Sequence, residues 1–401
     1  MSNLLVAQSG GPTAAINATL AGVIAEAEKV KAVNKIFGLI NGIEGIFNNK
    51  FITLNGMDIE GLKRTPAAYL GSCRYKLPDS RDGKKVYDEI FEFFGKNDIK
   101  YFLYIGGNDS MDTITKLSLY AKDNKIDMSF IGVPKTIDND LSVTDHTPGF
   151  GSAAKYVAAT VAEIALDSYV YKNKSVTIIE IMGRHAGWLT AAAVLARNEA
   201  QRAPHLIYLP EAAFSLDKFA DNINNLFKKG INNIIVAISE GIKDANGRSV
   251  CETENAAVDA FGHKILSGAG KALEGYVKEK IGCKVRSVEL NVSQRCAGHF
   301  LSKTDIDESV RIGKNGVKYA IKGKTGDMMI FKRVSDKPYK IEISSADLTK
   351  IANVEKTIPE KYIKNGNDVS KKLVNYLKPL ITGEVKLVYK DGLPVHLYKN
   401  V

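Results

Sequence analysis

One local pattern recurs along this chain and leaves few folds open to it: a short apolar run, then a turn of glycines and polar residues, then a helix-period segment. Leu4-Leu5-Val6-Ala7 runs into Gln8-Ser9-Gly10-Gly11-Pro12-Thr13 and an Ala-rich segment over residues 14–29. Lys100-Tyr101-Phe102-Leu103-Tyr104-Ile105 runs into Gly106-Gly107-Asn108-Asp109-Ser110, with a helical segment over residues 111–120. Apolar runs of this length fit strands buried on both faces, and strands that alternate with helices call for a parallel sheet with helical crossovers.

The pattern returns with chemistry attached. Met128-Ser129-Phe130-Ile131-Gly132-Val133 is stopped by Pro134, and Lys135-Thr136-Ile137-Asp138-Asn139-Asp140 follows where the sheet would end. Val176-Thr177-Ile178-Ile179-Glu180-Ile181 ends in Met182-Gly183-Arg184-His185-Ala186-Gly187-Trp188, before a helix expected over residues 189–197. The run 206–209 ends in Pro210-Glu211, and the run 233–238 in Ser239-Glu240-Gly241. After a glycine-rich linker at 267–270, the run 285–290 leads to Asn291-Val292-Ser293-Gln294-Arg295. Functionless charges would scatter along the helices as well. Their concentration past apolar runs predicts an α/β chain of two Rossmann-like lobes facing one cleft, with the site at the carboxyl ends of the strands.

Several residues in these turns suit phosphate chemistry, and each also has a plain structural explanation. Asp138 can take a proton from an attacking hydroxyl and Lys135 can neutralise a transferring phosphate. An Asn/Asp-rich turn capped by its own side chains would look the same. Gly10-Gly11 lets a ligand approach the backbone at a helix N-terminus, but many α/β chains enter a helix this way without binding anything. Arg74, beside Gly71-Ser72, can reach a phosphate or stand idle at the surface. Asp109 or Ser110 reads as a helix N-cap. His185 and Trp188 read as packing residues.

Composition narrows the partners. With 401 residues, 45% hydrophobic and 25% charged, the chain is long for a single α/β domain and can fill two cores. No apolar run is long enough to span a membrane and the first residues lack a secretory pattern, so a cytoplasmic protein is expected. Cysteines 73, 251, 283 and 296 make no Cys-x-x-Cys pair and read as free buried thiols. A net charge of +10 favours anionic partners, nucleic acid or phosphorylated metabolites. No basic run interleaved with aromatics argues for nucleic acid.

Taken in order, Gly10-Gly11, Gly106-Gly107-Asn108-Asp109-Ser110, Thr136-Ile137-Asp138-Asn139-Asp140, Met182-Gly183-Arg184, Glu240 and Gln294-Arg295 resemble the motifs of the phosphofructokinases. The resemblance runs over residues 4–300 and is closest to the pyrophosphate-dependent branch. There Lys135 precedes the Thr-Ile-Asp run, and Asp109 stands where ATP-using members keep a glycine. It implies the phosphofructokinase fold: two Rossmann-like three-layer αβα lobes with mostly parallel sheets. The expected division is a phosphate-donor lobe at 1–148, a fructose 6-phosphate lobe at 149–293, and a segment at 294–401 that returns to the first lobe and carries a C-terminal extension.

The resemblance also implies roles. Asp138 would accept the proton of the sugar 1-hydroxyl, with Lys135, Arg184 and Asp109 around the transferring group. Gly10, Gly11, Gly107, Asn108 and Arg74 would face the donor, pyrophosphate. Thr136, Ile137, Met182, Gly183, Glu240, Gln294 and Arg295 would join Asp138 and Arg184 in holding fructose 6-phosphate, with Arg286 reaching it across a subunit boundary in a homodimer or homotetramer. Mg²⁺ would be held by Asn108, Asp138 and Asp140, with no nucleic acid and no membrane involved. Three departures stand out. Asn108 replaces the usual aspartate, so its hold on the metal is expected to be weaker or through water. Val292 stands where many relatives have a histidine or tyrosine near the sugar phosphate. Lys174 or Ser175 replaces an arginine of ATP-using members. Two alternatives stay open: ATP as donor, and a sugar-phosphate sensor or scaffold without turnover.

Overall fold

The first apolar run forms β1 (Ser2–Gln8), and because side chains alternate along a strand, Leu4 and Val6 enter one core while Leu5 and Ala7 enter another. All four are fully buried, so both faces of the sheet must be covered. The computed structural model, which describes residues 1–250, 268–351 and 354–399, shows how. β1 runs parallel to β2 (Val33–Leu39), which carries the short antiparallel β3 (Phe51–Thr53). On its other side β1 pairs in parallel with β4 (Ile99–Gly106), and β4 with β5 (Ser129–Pro134). Helices Ile16–Ala27 and Lys303–Ile321 cover the Leu4 and Val6 face through Ile16, Leu20, Ile312 and Val317. Helices Lys84–Lys96 and Asn108–Asp123 cover the opposite face through Tyr87, Ile90, Met111 and Ile114. Neighbours of β1 lie on both sides of it, so the carboxyl ends of β1 and β4 open as a crevice.

The helix Phe150–Tyr169 leads into a second sheet of β6 (Ser175–Ile181), β7 (Leu206–Tyr208), β8 (Asn233–Ser239) and β9 (Lys284–Glu289). All are parallel, in the order β7-β8-β6-β9. Val176 and Ile178 face helices Leu216–Lys228 and Ala269–Lys280, while Ile179 and Ile181 face the helix Phe150–Tyr169. The segment expected as one helix over 189–197 is a short α-helix, Trp188–Ala192, that tightens into a 3-10 turn, Ala193–Ala196. It is packed against the helix Phe150–Tyr169, and tertiary packing overrides the helix preference of its alanines. Of the glycine-rich linker, Ser267 lies outside the described residues, and Gly268, at φ +88°, opens the helix Ala269–Lys280.

The chain then returns. β10 (Asp327–Asp336) and β11 (Tyr339–Asp347) form an antiparallel hairpin, and β10 joins β5, completing the order β11-β10-β5-β4-β1-β2-β3. Beyond it the extension crosses to the second lobe, where Ile358, Val369, Leu373, Leu377 and Leu380 enter the core beside Val157 and Trp188. At about 1.5–3 kcal/mol for each buried aliphatic side chain, the extension is a working part of that core. Near its end, Leu397 N donates to Thr65 Oγ1 in the first lobe.

Cysteine placement corrects one expectation. Cys73 is buried, but Cys283 is half-buried at the foot of the edge strand β9 and Cys296 is exposed on a short helix; Cys251 lies outside the described residues. No described helix is long and apolar enough to cross a membrane.

A buried charge network joins these parts. The His146 ring lies 2.8 Å from Asp145 Oδ2 through Nδ1 and 2.7 Å from Glu308 Oε2 through Nε2. Arg333 on β10 donates to Asp145 at 2.9 Å, and Tyr339 on β11 donates to Glu308 at 2.9 Å. Burial alone would depress His146, but the hydrogen bonds to the two carboxylates carry it above its ordinary 6.5. Its contribution to stability is therefore complete below pH 6.5 and is lost as pH rises through the folded value. Replacing it, as His146→Gln, should cost on the order of 2–4 kcal/mol in acid and progressively less in alkali. Thermal melts of the two proteins across about pH 5.5 to 9 test this, and a gap that fails to narrow would rule it out.

Candidate active site

The strand ends in the crevice are shaped by local bonds. After β1, Gln8 donates to Asn17 Oδ1 at 2.9 Å and accepts from Leu70 N at 2.9 Å, which fixes the start of the turn. Gly10 turns in the left-handed region at φ +79°, where a side chain would stand 2.9 Å from Lys135 Nζ. Ser72 Oγ donates to Gly10 O at 2.8 Å, so the segment carrying Arg74 is tied to this turn. After β4, the helix Asn108–Asp123 is capped by Gly107, which has no side chain, and not by Asp109 or Ser110 as the sequence suggested. The backbone angles at Gly107 set the helix start. Asp109 is left exposed in the cavity wall.

These ends and the facing lobe enclose a cavity of about 660 Å³. The first lobe supplies Gly10, Gly11, Arg74, Gly107, Asn108, Asp109, Lys135, Thr136, Ile137, Asp138 and Asp140; beyond residue 148 come Met182, Arg184, Glu240 and Arg295. Gly183 and Gln294 stand just behind the wall. Gly183, at φ +139°, donates its N–H to Glu240 Oε1 at 3.3 Å, and a side chain on it would meet Ala186 O at 2.6 Å. The buried Gln294 accepts from Met182 N at 3.3 Å and donates to Asn291 O at 2.9 Å, so it braces the loop that presents Met182 and Arg184. Val292 and Arg286 are not brought to the cavity. Val292 is half-exposed, and Arg286, on the edge strand β9, lies 3.5 Å from Asp167.

The electrostatics of the wall are unusual. Lys135 Nζ donates to Gly11 O at 2.8 Å, and burial pulls it to about 8 although Asp138 and Asp140 support its charge. Burial also pushes Asp138 up, with the Glu240 carboxylate adding to the shift and the Thr136 hydroxyl, 3.3 Å from Oδ2, opposing it. Burial and the neighbouring Asp138 raise Asp140 to about 7. Burial raises Glu240 as well. Groups desolvated together like this suit a ligand that brings its own charges.

A corner of the wall offers oxygen donors that fit a hard cation. Asn108 Oδ1 is buried with no hydrogen-bond partner, while its Nδ2 lies 3.4 Å from Asp140 Oδ2. Asp138 and Asp140 complete a set of one amide and two carboxylates, the number that Mg²⁺ commonly takes from a protein when phosphate and water fill the remaining positions.

Sequence reasoning missed several residues of the wall. His185, read as a packing residue, lines the cavity with its side chain about half-exposed, 3.9 Å from Glu355. Trp188 does pack, and its indole donates to Lys356 O at 2.8 Å. Glu355 lines the cavity from the extension, and Tyr75 and Tyr104 line it beside Arg74 and Gly107. No signal in the sequence marked Glu355, because its neighbours His185 and Leu141 lie 170 or more positions away in the chain.

A family model described as Phosphofructokinase matches residues 3–318. The chain belongs to the phosphofructokinase family. It is 44% identical over 407 residues to a pyrophosphate–fructose 6-phosphate 1-phosphotransferase of Xanthomonas campestris pv. campestris, covering 100% of this chain and 96% of the relative. It is 38% identical to the enzyme of the same name from Halomonas elongata, covering 98% and 94%. The crystal structure of a pyrophosphate-dependent phosphofructokinase from Nitrosospira multiformis superposes with a TM-score of 0.90 at 37% identity, covering 100% of this chain and 97% of that one. The two three-layer lobes are thus the phosphofructokinase fold.

The Gly10 turn allows a stability test. Gly10→Ala should lower the unfolding free energy by about 1–2 kcal/mol, from left-handed strain and displacement of Lys135. Gly95→Ala, in the helix Lys84–Lys96 where nothing lies within 4 Å, should raise it by up to about 1 kcal/mol. Urea denaturation of both variants gives the two signs, and equal effects would refute the reading of Gly10.

Proposed function

We infer that this phosphofructokinase transfers a phosphoryl group reversibly from pyrophosphate to the 1-hydroxyl of fructose 6-phosphate, giving fructose 1,6-bisphosphate and phosphate. The observation that carries the reading is the shared cavity wall, where Asp138, Lys135 and Arg184 meet the Gly10-Gly11 turn and the start of the helix at Asn108. Full-length relatives at 38–44% identity carry that activity in their names.

Asp138 accepts the proton of the 1-hydroxyl, a task suited to a carboxylate whose proton affinity burial has raised. The freed oxygen attacks the near phosphorus of pyrophosphate, the bridging P–O bond breaks, and phosphate leaves. Lys135 and Arg184 offset the charge on the transferring group. Gly10, Gly11, Gly107, Asn108 and Arg74 face the donor. Thr136, Ile137, Met182, Glu240 and Arg295 face the sugar, with Gly183 and Gln294 supporting their loop from behind. Asp138, Asp140 and the Asn108 carbonyl oxygen would hold Mg²⁺, which would supply charge neutralisation at the donor oxygens. The assembly that fits is a cytoplasmic homodimer or homotetramer in which Arg286, outside its own cavity, reaches the partner's sugar phosphate.

A coupled assay with fructose 6-phosphate and Mg²⁺, run with pyrophosphate, with ATP and with no donor, tests the reaction. Turnover with ATP and none with pyrophosphate would overturn the donor assignment. In the same assay Asp138→Ala should lower kcat by several orders of magnitude while KM for the sugar changes far less, since a general base acts chiefly in the transition state. A kcat within about tenfold of the parent would remove Asp138 from that role.

Donor choice turns on Asp109. It stands in the first turn of the helix Asn108–Asp123 and lines the cavity; with the donor received at that helix start, its carboxylate would meet the next phosphate of a nucleotide donor. Two like charges ~4 Å apart repel by about 4 kcal/mol at an effective dielectric near 20, enough to disfavour ATP by roughly a thousandfold. Asp109→Gly should weaken pyrophosphate use and make ATP use measurable, and adding Lys135→Gly should raise the ATP-to-pyrophosphate ratio of kcat/KM further. Asp109→Asn keeps the volume and removes the charge. An unchanged donor ratio in Asp109→Asn alone would mean exclusion by shape, and an unchanged ratio in Asp109→Gly as well would mean that Asp109 does not select the donor.

A further inference from the structure

Asn139 sits between Asp138 and Asp140, yet it is fully buried and takes no part in the cavity wall. It holds the left-handed backbone conformation at φ +55°, which costs free energy for any residue but glycine and persists only where its surroundings enforce it. The enforcement comes from the C-terminal extension. Lys356 Nζ donates to Asn139 Oδ1 at 3.3 Å, to Thr144 O at 3.1 Å and to Asp145 O at 2.9 Å. Tyr376 Oη accepts from Asn139 Nδ2 at 3.0 Å and donates to Asp145 O at 2.6 Å. Both ends of one amide are therefore gripped from behind by side chains more than two hundred residues away. The backbone joins in: Lys356 N donates to Asp140 O at 2.6 Å, and Glu355 bridges Leu141.

The same lysine reaches the other side of the cleft. Its carbonyl accepts from Trp188 Nε1 at 2.8 Å, and its ammonium stands 5.3 Å from the centre of the Trp188 ring. Trp188 opens the helix that follows the Arg184 loop, and its ring lies 5.5 Å from that of Tyr376. Lys356 and Tyr376 do not themselves line the cavity, but they connect the loop that carries Asp138 to the loop that carries Arg184.

We propose that Lys356 and Tyr376 are positioning residues for phosphoryl transfer: by gripping Asn139 they hold the Asp138 carboxylate against the sugar hydroxyl and set its distance from the Arg184 loop. The proposal rests on the reading of Asp138 as the base. Supporting groups behind a reacting residue commonly contribute 10–100-fold, and a displacement of about 1 Å at a reacting group can cost a hundredfold.

The test places Tyr376→Phe, Lys356→Met and Lys356→Arg in the parent and in Asp138→Ala, with kcat and KM for fructose 6-phosphate measured on the full chain and folding checked by circular dichroism and thermal melts. Tyr376→Phe keeps the ring and its packing, and it carries the test alone if Lys356→Met does not fold. In the parent it should lower kcat by roughly 10–100-fold with KM within about threefold. Lys356→Arg should recover part of what Lys356→Met loses. In the Asp138→Ala background Tyr376→Phe should change kcat by less than about twofold, because its effect passes through the missing carboxylate. An equal loss in both backgrounds, a loss confined to KM, or no loss at all would overturn the proposal and leave the base assignment standing. If Asp138→Ala itself keeps kcat within about tenfold, the base assignment has failed and the proposal falls with it.

Discussion

The Lys135 ammonium is the hinge of this molecule's electrostatics. It leaves the end of β5, lies on the carbonyl of Gly11 from the turn after β1, and stands close enough to Asp138 and Asp140 to support its own charge. Its burial means that each neighbour must either carry an opposite charge or offer an oxygen, because an uncompensated charge in such a place would simply be neutralised. The carboxylates that satisfy the lysine are themselves desolvated, and they in turn need Thr136, the loop behind them and a ligand in front. Much of the fold can be understood as the support for this unfavourable arrangement.

Excess positive charge on the whole chain and mixed charge in the cavity do different work. The net +10 acts at range, raising the local concentration of polyanions within a Debye length of about 8 Å at physiological salt. Inside the cavity the balance is closer, with Lys135, Arg74, Arg184 and Arg295 set against Asp109, Asp138, Asp140, Glu240 and Glu355. Net charge at range attracts anions without discriminating among them, so any selection requires the mixed charges of the wall.

What the sequence made legible was whatever is encoded locally. Alternating cores on β1, β4 and β5 follow from apolar runs, and the crevice residues follow from their place just past those runs. Three kinds of feature were not legible. The cap at Gly107 depends on backbone angles, and an aspartate in a helix's first turn looks the same whether it caps or faces a ligand. His185 follows a glycine turn and precedes an apolar run, so nothing local distinguished a cavity residue from a packed one. Glu355, Lys356 and Tyr376 lie in a lysine-rich stretch whose local pattern resembles a solvated tail. Asn139 and Asp145, the partners of Lys356 and Tyr376, are separated from them by 211 to 237 positions in these side-chain bonds.

The return of β10 to the edge of β5 has a consequence for biosynthesis. Ser129 on β5 bonds Ala320, 191 residues later, and β10 pairs with β5 only beyond that point. At elongation rates of about 5–20 residues per second, roughly 10–40 s pass between the emergence of β5 from the ribosome and that of its partner. Through that interval an apolar parallel strand presents an unpaired edge, the kind of surface that recruits other chains. The sheet of the second lobe, whose strands are contiguous in sequence, is made meanwhile. The first lobe's sheet is thus completed only when β10 arrives, and the core of the second only when Ile358, Val369, Leu373, Leu377 and Leu380 follow it.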